Sequence, residues 1–161
     1  MIFITLGSQK FQFNRLLKAV DELVERGVIT EEVFAQIGYS TYEPKNYAFK
    51  QFLDREEFSR TQELADIVIT HGGTGAIIGA VKKGKKVIAV PRLIKYGEHV
   101  DNHQLQIIEQ FNEQNLICSI LDCAELEACL EYVKKTQFDT YVSNTEKIIE
   151  SIDQYICGLR F

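Results

Sequence analysis

The sequence lacks most of what marks a specialised class of protein. Its longest apolar stretches, such as Val87–Pro91, fall far short of the ~20 residues that span a bilayer. The apolar start Met1–Leu6 is too short for a secretory leader and shows no cleavage site. A soluble, cytoplasmic protein is expected. Cysteine is absent from the first 117 residues, and Cys118, Cys123, Cys129 and Cys157 form no C-x-x-C pair, with no histidine following. That excludes a zinc site by spacing and leaves packed free thiols of a reducing compartment. Positive charge is in deficit, with 18 Lys and Arg against 23 Asp and Glu and a net charge of −5. No nucleic-acid partner is expected, because such affinity comes mostly from neutralised phosphates. Direct attraction to an anionic membrane is equally disfavoured. The local run Lys82, Lys83, Lys85, Lys86 reads as the solvated end of a helix, where cations suit the dipole. There are two prolines and no linker, repeat or low-complexity tract.

What is present is 161 residues, 45% of them hydrophobic. That is the size of one domain, expected to cover residues 1–161. It buries a real core, yet is too short for an eight-unit βα barrel of about 250 residues. It also has no room for two domains with a cleft between them. Apolar, β-branched runs at Ile2–Leu6, Val33–Ile37, Ile67–Thr70, Val87–Val90 and Leu116–Leu121 predict strands, with a further short one at Phe49–Leu53. Between them, Phe13 to Val24, Glu56–Leu64, Ala76–Lys83, the Leu105, Ile108, Phe111 face, the Leu126, Leu130, Val133 face and the Ile148 to Ile156 face predict helices. Residues 39–48 are tyrosine-rich and irregular. Strands alternating with helices predict an α/β, Rossmann-like domain with a parallel sheet. Ligands bind such sheets beyond the carboxyl ends of the strands, so function is sought in the turns after Leu6, Ile37, Thr70 and Val90.

Three of these turns carry unusual chemistry. His71-Gly72-Gly73-Thr74-Gly75 follows a strand and opens a helix. Glycines admit close approach to backbone N–H groups, and a helix N-terminus favours anions, so the segment suits a phosphate. It is not a P-loop, since Ala76-Ile77 follow the glycines, and the G-x-G-x-x-G spacing of a dinucleotide site is missed by one. A tight turn alone is the plainer alternative. Gly7-Ser8-Gln9 ends the first strand, and two anion-friendly turns on one edge suit a diphosphate better than a single phosphate. Past Pro91-Arg92 comes Glu98-His99-Val100-Asp101-Asn102-His103-Gln104. Asp101, Asn102 and Gln104 offer what sugar hydroxyls need, although Asp and Asn also cap helices, and His99, Asp101 and His103 admit a metal reading. No Ser/His/Asp order or reactive Cys/His pairing stands out.

These residues resemble the C-terminal, donor-nucleotide half of family 28 glycosyltransferases. The likeness runs from Ile2–Gly7 to about Leu116 and rests on Ala65–Gly75, Val90-Pro91-Arg92 and Glu98–Gln104. It is nearest in kind to free-standing small subunits, known from eukaryotic dolichol-linked GlcNAc transfer and from bacterial capsule or exopolysaccharide synthesis. The resemblance implies half of a GT-B enzyme and inverting transfer of a hexose from a UDP-sugar to a lipid-linked saccharide. Gln36-Ile37-Gly38 and Pro91-Arg92 resemble the polysaccharide branch, where UDP-galactose is the favoured donor. It further implies that Gly7, Ser8, Gly72, Gly73, Thr74 and Gly75 hold the diphosphate, with helix N-termini in place of a metal and no cofactor. Phe52 and Leu53 match the segment beside the uracil, and His71, Glu98, Asp101, Asn102, His103 and Gln104 the sugar and ribose contacts. Where the family carries a ribose-gripping glutamate this chain has Gly79, with Glu98 or Thr74 as possible substitutes. The general base belongs to the missing half, so His71 and His103 are the only candidates within the chain. A membrane-anchored partner resembling that half would recruit the protein to the inner face of the membrane. The rival reading is a non-catalytic UDP-sugar-binding module that regulates a neighbouring enzyme.

Overall fold

The computed structural model describes residues 1–158. Six strands, β1 (Ile2–Thr5), β2 (Val33–Gln36), β3 (Ala48–Lys50), β4 (Ile67–His71), β5 (Lys86–Val90) and β6 (Cys118–Ser119), form one sheet in the order β3-β2-β1-β4-β5-β6. Every pairing is parallel, from Ile2 against Val33 and Ile67 to Ala89 against Ser119. Six α-helices complete the fold: α1 (Asn14–Glu25), α2 (Arg55–Leu64), α3 (Thr74–Lys82), α4 (His103–Glu113), α5 (Leu126–Lys135) and α6 (Thr145–Gly158). The α/β class with a parallel sheet is as expected.

Successive strand side chains point to opposite faces, and both faces are covered. Ile2, Ile4, Leu6, Ile69 and Ile88 pack with Leu16, Leu17 and Val20 of α1 and Leu126, Leu130 and Val133 of α5. Phe3, Val68, Val87 and Ala89 pack with Ile77 and Ala80 of α3 and Ile108 of α4. Two-sided burial explains why the central strands read as continuous apolar runs rather than alternating ones. Each fully buried side chain of this size contributes about 1.5–3 kcal/mol.

The differences from expectation have local causes. The third strand lies at Ala48–Lys50 instead of Phe49–Leu53, because Asp54 and Glu57 close a reciprocal capping box that starts α2 at once. Phe52 and Leu53 are therefore loop. The helix after the glycine turn begins at Thr74, two residues early, and His71 is the last residue of β4. β6 is two residues long where six were expected. The lysine run ends α3 as expected, but also binds the ends of other helices: Lys85 Nζ donates to Glu63 O (2.6 Å), and Lys86 Nζ to Val133 O (2.7 Å).

The irregular stretch 39–48 is held by one carboxylate. Asp21 on α1 is 2% exposed and accepts from Tyr42 Oη (2.6 Å), Lys45 N (2.9 Å), Asn46 N (2.9 Å) and Asn46 Nδ2 (3.0 Å). Burial alone would raise its pKa, but the hydrogen bonds outweigh it and hold the carboxyl below its ordinary value. All four cysteines are free thiols, Cys129 buried and Cys157 exposed. No helix among the described residues is long and apolar enough to cross a membrane.

Candidate functional site

From β1 the chain turns to β2 on one side, and from β4 to β5 on the other. A crevice opens where the order reverses, at the carboxyl ends of β1 and β4. Both glycine turns meet there, on either side of the His71 ring. A Cβ at Gly7 (φ +71°) would lie 2.7 Å from His71 Cε1, and one at Gly73 would lie 2.4 Å from Nε2. A Cβ at Gly72 would meet Gln104 Cβ at 2.7 Å. These glycines are required by packing against side chains, not by the turn alone. His71 is 8% exposed, and burial, reinforced by Arg92, pushes its pKa down to about 4. It is neutral at pH 7.

Gly73 is the N-cap of α3; no side chain caps the helix and its first turn has no acidic residue. The opening amides, at exposed Thr74 and Gly75, have no helical partner. Gly73 and Gly75 border a cleft of about 450 Å³ together with Gly7, Ser8, Gln9, Gln36, Gln62 and Gly79. Behind it lies Arg92, 1% exposed, whose Nη2 donates to Leu6 O at 2.6 Å while the guanidinium faces Phe13 at 5.6 Å. Burial lowers its pKa to about 10, with Glu98 opposing, so it remains a cation. Uncapped amides and a buried cation favour an anion in this cleft.

The segment 98–104 divides between structure and exposed chemistry. Glu98 binds Arg15 through both oxygens (2.8 and 3.2 Å) and accepts from Leu93 N (3.1 Å). Its carboxylate is committed to the fold and has nothing left for a ribose. Gln104 Oε1 accepts from Gly72 N (3.2 Å) and Arg92 N (3.0 Å), tying the glycine turn to the end of β5. Asn102, the N-cap residue of α4, turns its Oδ1 away to accept from Ile94 N (3.1 Å), and the preceding Asp101 accepts from His103 N, the first amide of the helix (3.1 Å). Asp101 also pairs with the His103 ring, and this contact, first among its causes, lowers its pKa. His99, buried, holds Gln9 Oε1 through Nε2 (3.0 Å). The donor atoms of His99, Asp101 and His103 lie within 4.8 Å of one another, so these are the residues that could hold a cation. Of the six expected sugar and ribose contacts, Asp101 and His103 have side chains open to solvent and close to the cleft's Gln9 through His99.

Phe52 is half exposed and meets Tyr39 edge to face at 5.2 Å. Leu53 N donates to Gln36 Oε1 at 3.2 Å, which links this loop to the cleft. Sequence reasoning did not single out Arg15 or Gln62, and gave Gln9 no role of its own. Gln9 belongs to the Gly7-Ser8-Gln9 turn that the sequence marks. Arg15 and Gln62 sit on amphipathic helices as ordinary polar positions, with no local signal.

Residues 1–156 match the model of the glycosyltransferase family 28 C-terminal domain. The chain belongs to this family. Relatives include the UDP-N-acetylglucosamine transferase subunit ALG13 of Mus musculus, 26% identical over 141 residues and covering 75% of this chain. The subunit of the same name from Kluyveromyces lactis is 32% identical over 92 residues, covering 54% of this chain. The chain matches only 11% of the mouse protein's length and 45% of the yeast one. Among solved structures, the glycotransferase of kitacinnamycin superposes with a TM-score of 0.64 at 18% identity, covering 84% of this chain and 35% of that one. A solution structure of ALG13 superposes at 0.57 and 19% identity, covering 94% of this chain and 93% of that one. These likenesses bear out the GT-B type of fold expected for a family 28 C-terminal half.

Proposed function

We propose that this chain, as one donor-binding domain, is the UDP-sugar subunit of a two-subunit glycosyltransferase. The observation that carries the reading is the cleft between Gly7-Ser8 and the uncapped N-terminus of α3, in a chain of this family. A UDP diphosphate would lie on the amides of Gly73, Thr74 and Gly75, beside Gly7 and Ser8. Phe52 and Leu53 would wall the uracil, and Asp101 and His103 would meet the donor sugar. Transfer would be a single inverting displacement at the sugar C1, with UDP leaving. The charge that grows on the diphosphate is stabilised by the α3 amides and by buried Arg92. These donors do in this chain what a metal ion does elsewhere.

The general base comes from a partner. His71 has a pKa near 4 and is walled in by glycines, far from the range that suits base catalysis at neutral pH. α6 supports a partner: Ile148, Ile149, Ile152, Tyr155 and Ile156 are each at least half exposed. One helix carrying that much uncovered apolar surface fits an interface. We assign it to the acceptor-binding subunit, which would hold the lipid-linked saccharide at the inner face of the membrane.

On the sugar, the relatives are UDP-N-acetylglucosamine transferase subunits by name, which moves the first choice of donor there from galactose. A capsule or exopolysaccharide setting has no support from those names. Thermal shift with UDP, UDP-GlcNAc, UDP-galactose and ADP tests the reading, since a ligand of the folded state raises the apparent Tm. A UDP-specific rise, larger with one UDP-sugar, is expected; equal response to ADP would refute it. In the reconstituted pair, His71→Ala should abolish transfer. Mere modulation would favour the regulatory module.

A further inference from the structure

Beside Gln9, at the rim of the cleft, two hydrogen-bond acceptors face each other. His99 is buried with its ring against Phe11, 5.3 Å between centroids, and its Nε2 meets the carbonyl oxygen of Gln9 at 3.0 Å. Nε2 therefore donates and carries the ring proton, which leaves Nδ1 a bare lone pair. The Asp101 amide agrees with that tautomer, donating to Nδ1 across a long 3.3 Å. Yet Nδ1 also stands 3.1 Å from Asp101 Oδ1. A lone pair and a carboxylate oxygen so placed repel unless positive charge lies between them. His103 Nδ1 closes on the same oxygen, and its ring meets that of His99 edge to face at 4.9 Å. One ligand atom from each of the three residues thus converges within 4.8 Å.

We propose that His99 Nδ1, Asp101 Oδ1 and His103 Nδ1 form a site for a zinc-class divalent ion, which shuts out the donor sugar when bound. Two imidazoles and a carboxylate suit Zn²⁺ or Co²⁺, whereas Mg²⁺ and Ca²⁺ prefer shells of oxygen. Three protein ligands leave a fourth tetrahedral position for water, and half-exposed Asp101 and His103 open that position to solvent. Gln9 is a positioning residue: it holds the far N–H of a ligating imidazole and so fixes which nitrogen faces the ion. The ion has no part in the transfer, since the diphosphate is assigned to the α3 amides. It occupies the two side chains assigned to the donor sugar, so ion and sugar exclude each other. That exclusion rests on the UDP-sugar reading; the ion site does not.

Calorimetric titration of the full, nucleotide-free chain with Zn²⁺ tests the site. Wild type should bind a single ion saturably. Asp101→Asn, which can still cap α4, and His103→Ala should each weaken it by more than about tenfold, and Gln9→Met by about tenfold. The metal-free Tm of all three should match wild type. Co²⁺ in place of Zn²⁺ should give the visible spectrum of a tetrahedral ion without thiolate charge-transfer bands, which separates this site from the free cysteines. UDP-GlcNAc should displace Co²⁺ more readily than UDP, whose diphosphate controls for chelation in solution. No saturable binding, full zinc affinity in His103→Ala, or thiolate bands on cobalt overturns the ion site. Equal action of UDP-GlcNAc and UDP on a chain that binds both overturns the exclusion. A chain that binds the ion but no UDP supports the ion site and refutes the proposed function instead.

Discussion

Two buried polar clusters in this protein are built on opposite principles. Around Asp21 every donor has an acceptor: a phenol, two backbone amides and an asparagine amide converge on one carboxylate. At the carboxyl edge of β1 and β4, Gln62 and Arg92 keep buried nitrogens without partners, and α3 begins without a cap. The first cluster is complete in the protein alone and holds a loop in place. The second is incomplete in the protein alone, and its leftover donors suit an anionic or hydroxylic partner. Burial of polar groups is therefore no guide to function by itself; what separates structure from site is whether the hydrogen bonds close.

Substitutions should separate the two clusters. Asp21→Ala leaves several donors without an acceptor and is expected to cost about 4 kcal/mol of stability, lowering Tm by roughly 10 °C. UDP affinity measured on the folded fraction should stay at the wild-type value. A joint loss of stability and affinity would break the distinction.

Protonation gives the next largest effect, in two separate pH windows. His71 has a folded pKa of about 4 against an ordinary 6.5. Its contribution, on the order of 3 kcal/mol, is present above pH 6.5 and lost as pH falls towards 4. Asp21 has a folded pKa below its ordinary 3.8, so its contribution is present above that value and lost only as pH falls through the folded one. Denaturant titrations across pH should show both steps. His71→Asn should flatten the upper step and Asp21→Asn the lower.

Gly73→Ala places a methyl 2.4 Å from His71 Nε2 and must displace the turn. UDP affinity should fall about thirtyfold, or ~2 kcal/mol, with a smaller change in Tm, as calorimetry can check. Smallest in stability is Ile149→Asp with Ile152→Asp on α6. Both side chains are already half exposed, so stability should change by less than about 0.5 kcal/mol, while capture of the proposed acceptor-binding subunit is lost. A large drop in Tm would mean that α6 packs on its own chain.

Much of this was legible in the sequence. Strands β1, β4 and β5 are apolar on both faces, and Gly7, Gly38 and Gly84 end elements where φ is positive, so pattern and punctuation agreed. The glycine turns were visible for the same reason. What could not be read was which polar residue had a partner. Glu98 and Gln104 have the residue types of a sugar site, yet Glu98 binds Arg15, 83 positions away, and Gln104 closes on Gly72 and Arg92. Asp21 and Gln62 occupy ordinary polar positions of amphipathic helices. Only the fold reveals that one is saturated and the other orphaned. β6 was overestimated because Leu116 and Ile117 are buried by packing below the sheet, outside the ladder.

Backbone amide shifts on adding UDP to the ¹⁵N-labelled chain test the donor cleft most directly. Amides of Gly7, Ser8, Gly73, Thr74 and Gly75 should move together and saturably, while those of Lys45 and Asn46 beside Asp21 stay fixed. Shifts confined to α6 or the Asp21 loop, or none at saturating UDP, would contradict a nucleotide site at the β1–β4 edge.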